Sequence, residues 1–264
     1  MAFDKLKDRR ILITIFSALI ILIAFSIAFL IFRTNFIAFF FLTCLGIIPI
    51  FFFSRNKKIG LVVGGYAGFF GFLTEWWGCS LGYWTWINTQ SLYMVFGIFP
   101  VEMPIIYFFC GLWINQFLNE IYIEEIEDFR NNMQLQISKP WLIFLFITTA
   151  ICYLTFIISP IWIQSMLILS TGLILMASIS KRKIILSLGG ITGVAGFFFE
   201  NFATGGFLPD LIIWRYNFVV HQSAIIPDPI IVAAPISAII AYFGTGLIMG
   251  SLIFIGTKVF ISSK

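Results

Sequence analysis

From Ile11 to Phe32 the chain carries no charged side chain, and such apolar runs recur along its length. A helix of about 20 residues, rising 1.5 Å per residue, crosses the ~30 Å hydrocarbon layer of a bilayer. Within lipid each backbone N–H and C=O must find its partner inside the protein, and a long apolar run does so as a helix. The runs predict about eight spans, at 11–32, 35–54, 59–77, 100–119, 140–158, 161–180, 184–203 and 229–257. The expected fold is therefore an all-α, polytopic membrane protein. Composition agrees: 60% of the 264 residues are hydrophobic and 11% charged, whereas soluble domains run near 45–50% and 25%. A soluble chain of this size has no interior large enough to hide the excess. The first run is too long for a signal-peptide core and no small-residue cleavage site follows it, so it is expected to remain as a helix. Pro100 and Pro229 suit the first position of the fourth and eighth spans, with Asp228 as a helix cap and Pro235 as a kink.

Loop charges give the orientation. Lys5, Lys7, Arg9 and Arg10 precede the first span, Arg55, Lys57 and Lys58 follow the second, and Lys181, Arg182 and Lys183 follow the sixth. Lys258 and Lys264 end the chain. With eight spans these all fall on one side, which the positive-inside rule makes cytoplasmic along with both termini. The opposite loops hold Arg33, Asp210, Arg215, His221 and Asp228. The net charge of +4 thus records membrane topology and not nucleic-acid binding. The acidic stretch Glu120, Glu124, Glu125, Glu127 and Asp128 is expected to be a solvated cytoplasmic linker.

The chain also repeats itself. Lys57-Lys58-Ile-Gly-Leu-Val-Val-Gly64-Gly65-Tyr-Ala-Gly68-Phe-Phe-Gly71-Phe-Leu-Thr-Glu75 matches Arg182-Lys183-Ile-Ile-Leu-Ser-Leu-Gly189-Gly190-Ile-Thr-Gly193-Val-Ala-Gly196-Phe-Phe-Phe-Glu200 at a constant offset of 125. After an insertion of five, Trp84-Thr-Trp86 meets Trp214-Arg-Tyr216, and Pro100-Val-Glu102-Met-Pro104 is answered more loosely by Asp228-Pro229 and Pro235. The expected organisation is a four-helix repeat at 1–119, a linker at 120–139 and a second repeat at 140–264. With an even number of spans in each, the copies run parallel about an axis along the membrane normal.

Glu75 and Glu200 each end a glycine-striped helix. At 100° per residue, Gly64, Gly68 and Gly71 fall within about 40° of Glu75. Small-residue stripes let helices approach closely, so both carboxylates should face protein and not lipid. A carboxylate there costs roughly 3 kcal/mol, which makes it a functional suspect; the bland alternative is a glutamate bonded to a neighbouring backbone or Trp N–H. Glu102, in the first turn of the fourth span, is favoured by the helix N-terminus or is an acid beside a cavity. Trp76, Trp77, Tyr83, Trp84 and Trp86 read either as an interfacial aromatic belt or as a π-rich mouth for a polyene or a carbocation.

Several chemistries find no residues here. One histidine, His221, cannot build a histidine-rich di-iron site. There is no aspartate-rich diphosphate motif, no nucleotide-binding glycine loop and no C-x-x-C pair among Cys44, Cys79, Cys110 and Cys152. What remains is acid chemistry by carboxyl groups in apolar surroundings, without metal or cofactor.

Gly71-Phe-Leu-Thr-Glu75-Trp-Trp-Gly78-Cys-Ser-Leu-Gly82-Tyr-Trp84, followed by Gly97-Ile-Phe-Pro100-Val-Glu102, resembles the carotenoid biosynthesis membrane family that includes the carotenoid and bisanhydrobacterioruberin hydratases. Trp84-Thr-Trp86 with Pro100-Val-Glu102-Met-Pro-Ile-Ile-Tyr107 is also similar to the small lycopene cyclase domain. Met103 stands where that cyclase signature has a second acid, which favours the hydratase resemblance. The resemblance implies a membrane enzyme, a hydratase (hydro-lyase) or a cyclase (isomerase), that protonates the terminal double bond of a linear carotenoid. It implies Glu75 and Glu102 as proton donor and water-orienting base, with Glu200 their equivalent in the second copy. Trp76, Trp77, Tyr83, Trp84, Trp86, Tyr107, Trp214 and Tyr216 would bind the substrate. Expected partners are a long isoprenoid or carotenoid and membrane lipid, with a homo-oligomer or association with other pathway enzymes left open. The rival reading is a non-enzymatic isoprenoid-binding or transport protein. A transporter would carry polar residues in both halves of its spans, and the cytoplasmic halves here look nearly bare of charge.

Overall fold

A computed structural model describes residues 57–87, 93–132, 161–177, 182–207, 214–217 and 228–261, with Leu12, Phe16, Ser91, Ile147, Ile179, Pro209 and Ile212 besides. Apart from Leu12, Phe16 and Ile147, the expected spans at 11–32, 35–54 and 140–158 lie outside the described residues, as do both chain ends and His221. Six helices and six short strands follow in the order α1 (Lys57–Ser80), β1 (Trp84–Trp86), β2 (Met94–Val95), β3 (Phe99–Pro100), α2 (Glu102–Ile121), α3 (Ile123–Asn132), α4 (Ile161–Ala177), α5 (Arg182–Ala203), β4 (Trp214–Tyr216), β5 (Ile230–Ile231), β6 (Ala234–Pro235) and α6 (Ile236–Ile261). The described chain is thus mostly helical. Three helices, α1, α5 and residues Ile236–Thr257 of α6, are long and apolar enough to cross a membrane. Helix α2 is 20 residues long but buries Asn115, Gln116, Asn119 and Glu120, and does not join them.

Helices long and apolar enough to cross a membrane gain no hydrophobic attraction from one another in lipid, where close van der Waals packing would have to hold them. The glycine stripes provide that closeness. A Cβ on Gly111 of α2 would lie 2.8 Å from the Gly64 Cα and 2.8 Å from the Val63 carbonyl oxygen of α1. A Cβ on Gly246 of α6 would lie 3.0 Å from the Gly189 Cα of α5. Gly64 is also filled from across by Phe108 and Leu112, and Gly189 by Phe243 and Leu247. Helix α4 seats on α6 by the same device, Gly172 against the Gly244 carbonyl. The two helix pairs therefore interlock through residues that match along the sequence.

Both prolines placed at helix starts sit elsewhere. Pro100 ends strand β3 and α2 begins at Glu102; Pro229 precedes a hairpin and α6 begins at Ile236. Pro235 ends β6 immediately before α6 and kinks nothing, since a residue without an N–H is well placed where a strand stops. Asp228 still caps α6, accepting the Ser237 backbone N–H at 3.1 Å from nine residues upstream. The short strands were not expected. Hairpins β2–β3 and β5–β6 turn on Phe96 (φ 52°) with Gly97 (φ 71°), and on Val232 (φ 63°). A β-branched residue in the left-handed region is strained, and the Val232 turn is held by Asn201 Oδ1, which accepts the Ala233 N–H at 2.7 Å. Strand β1 pairs with β4, antiparallel, in a register of Trp84 with Tyr216, Thr85 with Arg215 and Trp86 with Trp214. Matched segments paired this way have a local twofold axis between Thr85 and Arg215.

The glycines supply an internal contrast. Gly111→Ala must force two backbones apart and should cost about 1–3 kcal/mol. Gly65→Ala meets open space and should leave thermal unfolding in detergent unchanged or slightly raise it. Equal melting points for the two variants would show that the stripe is not a packing surface.

Candidate functional site

Helix α1 carries Glu75 near its end, and Gly82 (φ 72°) turns the chain so that β1 folds back over that carboxyl group. Alternate strand residues share a face, so Trp84 and Trp86 point inward while Thr85 is exposed. Both indoles donate to Glu75 Oε2, from Trp84 Nε1 at 3.1 Å and Trp86 Nε1 at 3.0 Å. Tyr107 of α2 donates to Oε1 at 3.1 Å. Gly71 makes room for the Tyr107 ring and Gly78 for the Trp84 ring, and a methyl group at either position would overlap the aromatic.

The same construction surrounds Glu200 at the end of α5. Trp214 Nε1 donates to its Oε2 at 3.2 Å and the Tyr216 hydroxyl to the same oxygen at 2.7 Å. Tyr242 of α6, seated on Gly196, donates to Oε1 at 2.8 Å. Each of the two glutamates is 4% exposed. Burial first, and the neighbouring Glu200 carboxylate second, hold the Tyr216 phenol well above its ordinary pKa, so it stays a hydroxyl donor.

Ladder β1–β4 joins the two settings. The Trp84 and Tyr216 ring centroids are 6.0 Å apart and those of Trp86 and Trp214 are 4.9 Å apart. Glu75, Trp84, Tyr216, Glu200, Trp214 and Trp86 thus form a closed circuit, in which hydrogen bonds stay within each half and ring contacts cross between halves. Met103, Ile106, Phe199, Ala203 and Ala238 surround it with apolar packing. Such an arrangement brings two carboxyl groups into an oily, aromatic setting, where they can give or take a proton beside ring faces that attract cations.

Of the residues expected at the site, Glu75, Glu200, Trp84, Trp86, Tyr107, Trp214 and Tyr216 come together. Trp76 is 36% exposed and lies beside Phe72 and Phe96 on the outer side of α1. Trp77 is buried in the main helix core, and Tyr83 packs against that core while its carbonyl accepts the Asn217 N–H. Neither belongs to the circuit. Glu102 is fully buried elsewhere, its Oε2 accepting the Ser91 hydroxyl at 2.5 Å across hairpin β2–β3.

The second copy explains that pair. Ser237 stands two residues after Pro235, as Glu102 does after Pro100, and its hydroxyl donates to Asp228 across hairpin β5–β6. Carboxylate and hydroxyl have changed places, but each hairpin is clasped by one of each. Glu102 therefore sits at the entry to α2, apart from the circuit.

Tyr242 was missed from the sequence, although Tyr107-Phe108-x-x-Gly111-Leu112 recurs as Tyr242-Phe243-x-x-Gly246-Leu247 at an offset of 135. Glu120 was misplaced as solvated: it is 3% exposed and accepts from Gln116 at 3.2 Å, beside Asn119 bonded to Asn115. Among the described residues no group of three histidine, cysteine or acidic side chains could hold a metal ion. Comparisons with protein-family models, curated proteins and solved structures find no match to this chain.

Gly78→Ala should push the Trp84 ring aside and remove its hydrogen bond to Glu75. Hydrogen bonds to charged groups are worth about 1.5–3 kcal/mol, so the Trp84 indole N–H, followed by NMR, should exchange with solvent about tenfold faster or more. An unshifted, equally protected signal would mean that Gly78 does not position this ring.

Proposed function

We propose that this chain is a multi-pass membrane enzyme that adds water to the terminal double bond of a linear carotenoid or comparably long isoprenoid, using neither metal nor cofactor. In this reading eight spans form two parallel four-helix repeats, residues 1–119 and 140–264, joined by a cytoplasmic linker, with both termini in the cytoplasm. The observation that carries it is the circuit itself: two buried carboxyl groups, from matched helix ends, meet across aromatic rings in apolar surroundings.

One carboxyl group gives its proton to the terminal alkene. The π pair becomes a C–H bond and leaves a tertiary cation beside the indole and phenol faces, which stabilise it. Water bonds to that carbon and loses a proton to the second carboxylate. The sum is one water added and one proton again held by the pair. If the neighbouring double bond reaches the cation first, the same centre closes a ring, as a cyclase would. Glu102, clasped by Ser91 at the entry to α2, stands apart from this pair. The partners are the apolar substrate and membrane lipid, with no nucleic acid.

One observation favours the transport reading. Asn115, Gln116, Asn119 and Glu120 are buried in the half of α2 away from the circuit, where polar side chains are expected of a two-gated carrier. Against it stands the backbone contact of Gly111 with Gly64, which closes α1 onto α2 between the two polar regions.

Expression in a lycopene-accumulating host tests the reading. Pigment heavier by one water marks hydration, pigment of unchanged mass but altered retention marks cyclisation, and unchanged pigment rejects both. Glu75→Gln should sharply lower the yield of the heavier product while the protein stays folded; turnover at the full rate removes Glu75 from the mechanism.

A further inference from the structure

Of the four matched positions formed by the carboxyl groups and their hydrogen-bond donors, three carry the same residue in both halves: Glu75 with Glu200, Trp84 with Trp214, and Tyr107 with Tyr242. The fourth does not. Trp86 of β1 stands where β4 has Tyr216. We propose that this single difference divides the labour of the two carboxyl groups, with Tyr216 the positioning residue that makes Glu200 the proton donor and leaves Glu75 the acceptor. The proposal rests on the hydration reading above and assigns its roles.

The physical ground is the donor and acceptor inventory of the two rings. An indole N–H only donates, whereas a phenol hydroxyl can donate or, turned about its C–O bond, accept. Glu75 Oε2 receives two indole donors, at 3.1 and 3.0 Å, among the described residues. A proton on that oxygen would face two N–H groups with nowhere to point, so the oxygen is confined to accepting. Glu200 Oε2 receives one indole and one phenol, at 3.2 and 2.7 Å. A proton there can be accepted by the Tyr216 oxygen after the hydroxyl turns. Oε1 of both groups faces a phenol, Tyr107 or Tyr242, so it distinguishes nothing. Both oxygens of Glu200 thus tolerate the acid form, and only one oxygen of Glu75 does.

In the reaction Glu200 transfers its proton to the alkene carbon and becomes a carboxylate, to which Tyr216, Trp214 and Tyr242 all donate. Water adds to the cation and passes one proton to Glu75 Oε1, beside Tyr107. The proton then returns to Glu200 by exchange, restoring the starting pair with no further reactant. Tyr216 touches Glu200 and need not touch the substrate, hence its role is to position and not to react.

The local twofold axis makes a sharp test available, because the double variant Trp86→Tyr/Tyr216→Trp is the same circuit seen from the other half. Tyr216→Trp alone puts two indoles on both carboxyl groups. Product formation from lycopene, measured with purified protein in lipid, should fall at least tenfold in kcat with little change in KM; a positioning residue should cost less than the roughly hundredfold or more that a general acid–base group itself contributes. Adding Trp86→Tyr should restore most of it. In the restored double variant the more damaging substitution should move from Glu200→Gln to Glu75→Gln. A purely packing role for Tyr216 would give no such rescue or exchange. Full activity in Tyr216→Trp, or a double variant as inactive as Tyr216→Trp, overturns the proposal while leaving hydration standing. A wild-type protein that forms no hydrated product overturns hydration and this division with it.

Discussion

The site depends on how closely α1 approaches α2 and α5 approaches α6. A phenol reaches a carboxyl group on a neighbouring helix only when the two backbones nearly touch. Gly111 on Gly64 and Gly246 on Gly189 set that separation. Gly71 and Gly196 then leave the slots into which Tyr107 and Tyr242 lie. The glycines pair with partners that match along the sequence, so the two halves reach the same geometry independently. Without side-chain bulk the backbones gain contact area, and packing quality is what would hold such helices where lipid removes the hydrophobic drive.

Much of this was legible before any coordinates. The 125-residue offset marked α1 and α5 as matched, and the angular clustering of glycines with Glu75 placed the carboxyl group on the packed face. Tyr242 was harder because the register drifts: the offset grows from 125 at the glutamates to 130 at the strands and 135 at the second helices. A search at one fixed offset loses the match where loops lengthen. The strands themselves leave no local signal. Three residues of β1 become a strand only because three residues of β4, far along the chain, complete the ladder. The Glu102–Ser91 clasp was opaque for a related reason, since its counterpart exchanges acid and hydroxyl across the hairpin. Glu120 was misread because it abuts an acidic stretch that looks solvated, although the turn it ends is buried.

The polar side chains of α2 can be judged against the second half as a control. Asn115, Gln116, Asn119 and Glu120 correspond to Gly250, Ser251, Phe254 and Ile255 of α6. Volume is exchanged along with polarity: Asn115 lies over Gly60, whereas Gly250 lies under Ile185. Apart from Ser251, apolar residues therefore stand at the equivalent positions in one half and polar ones in the other. The bonds between Asn119 and Asn115 and between Gln116 and Glu120 run along α2 and do not tie it to another helix. Helix-to-helix adhesion through those bonds does not account for them, and their polarity is not a requirement of the repeated architecture.

Duplication also explains why the carboxyl groups meet where they do. Two copies related by a local twofold can bring identical positions together only near the axis, and the axis here passes between Thr85 and Arg215 in ladder β1–β4. Inward-pointing neighbours of those two residues are therefore the rings that cross between halves. Every residue of the circuit would be duplicated exactly if symmetry were complete, and two carboxyl groups in identical settings have no reason to behave differently. A reaction that needs a proton given at one step and taken at another gains from unlike partners. Substituting one ring at one of the matched positions is the smallest change that makes them unlike, and it leaves the ladder, the glycine contacts and both carboxyl groups in place.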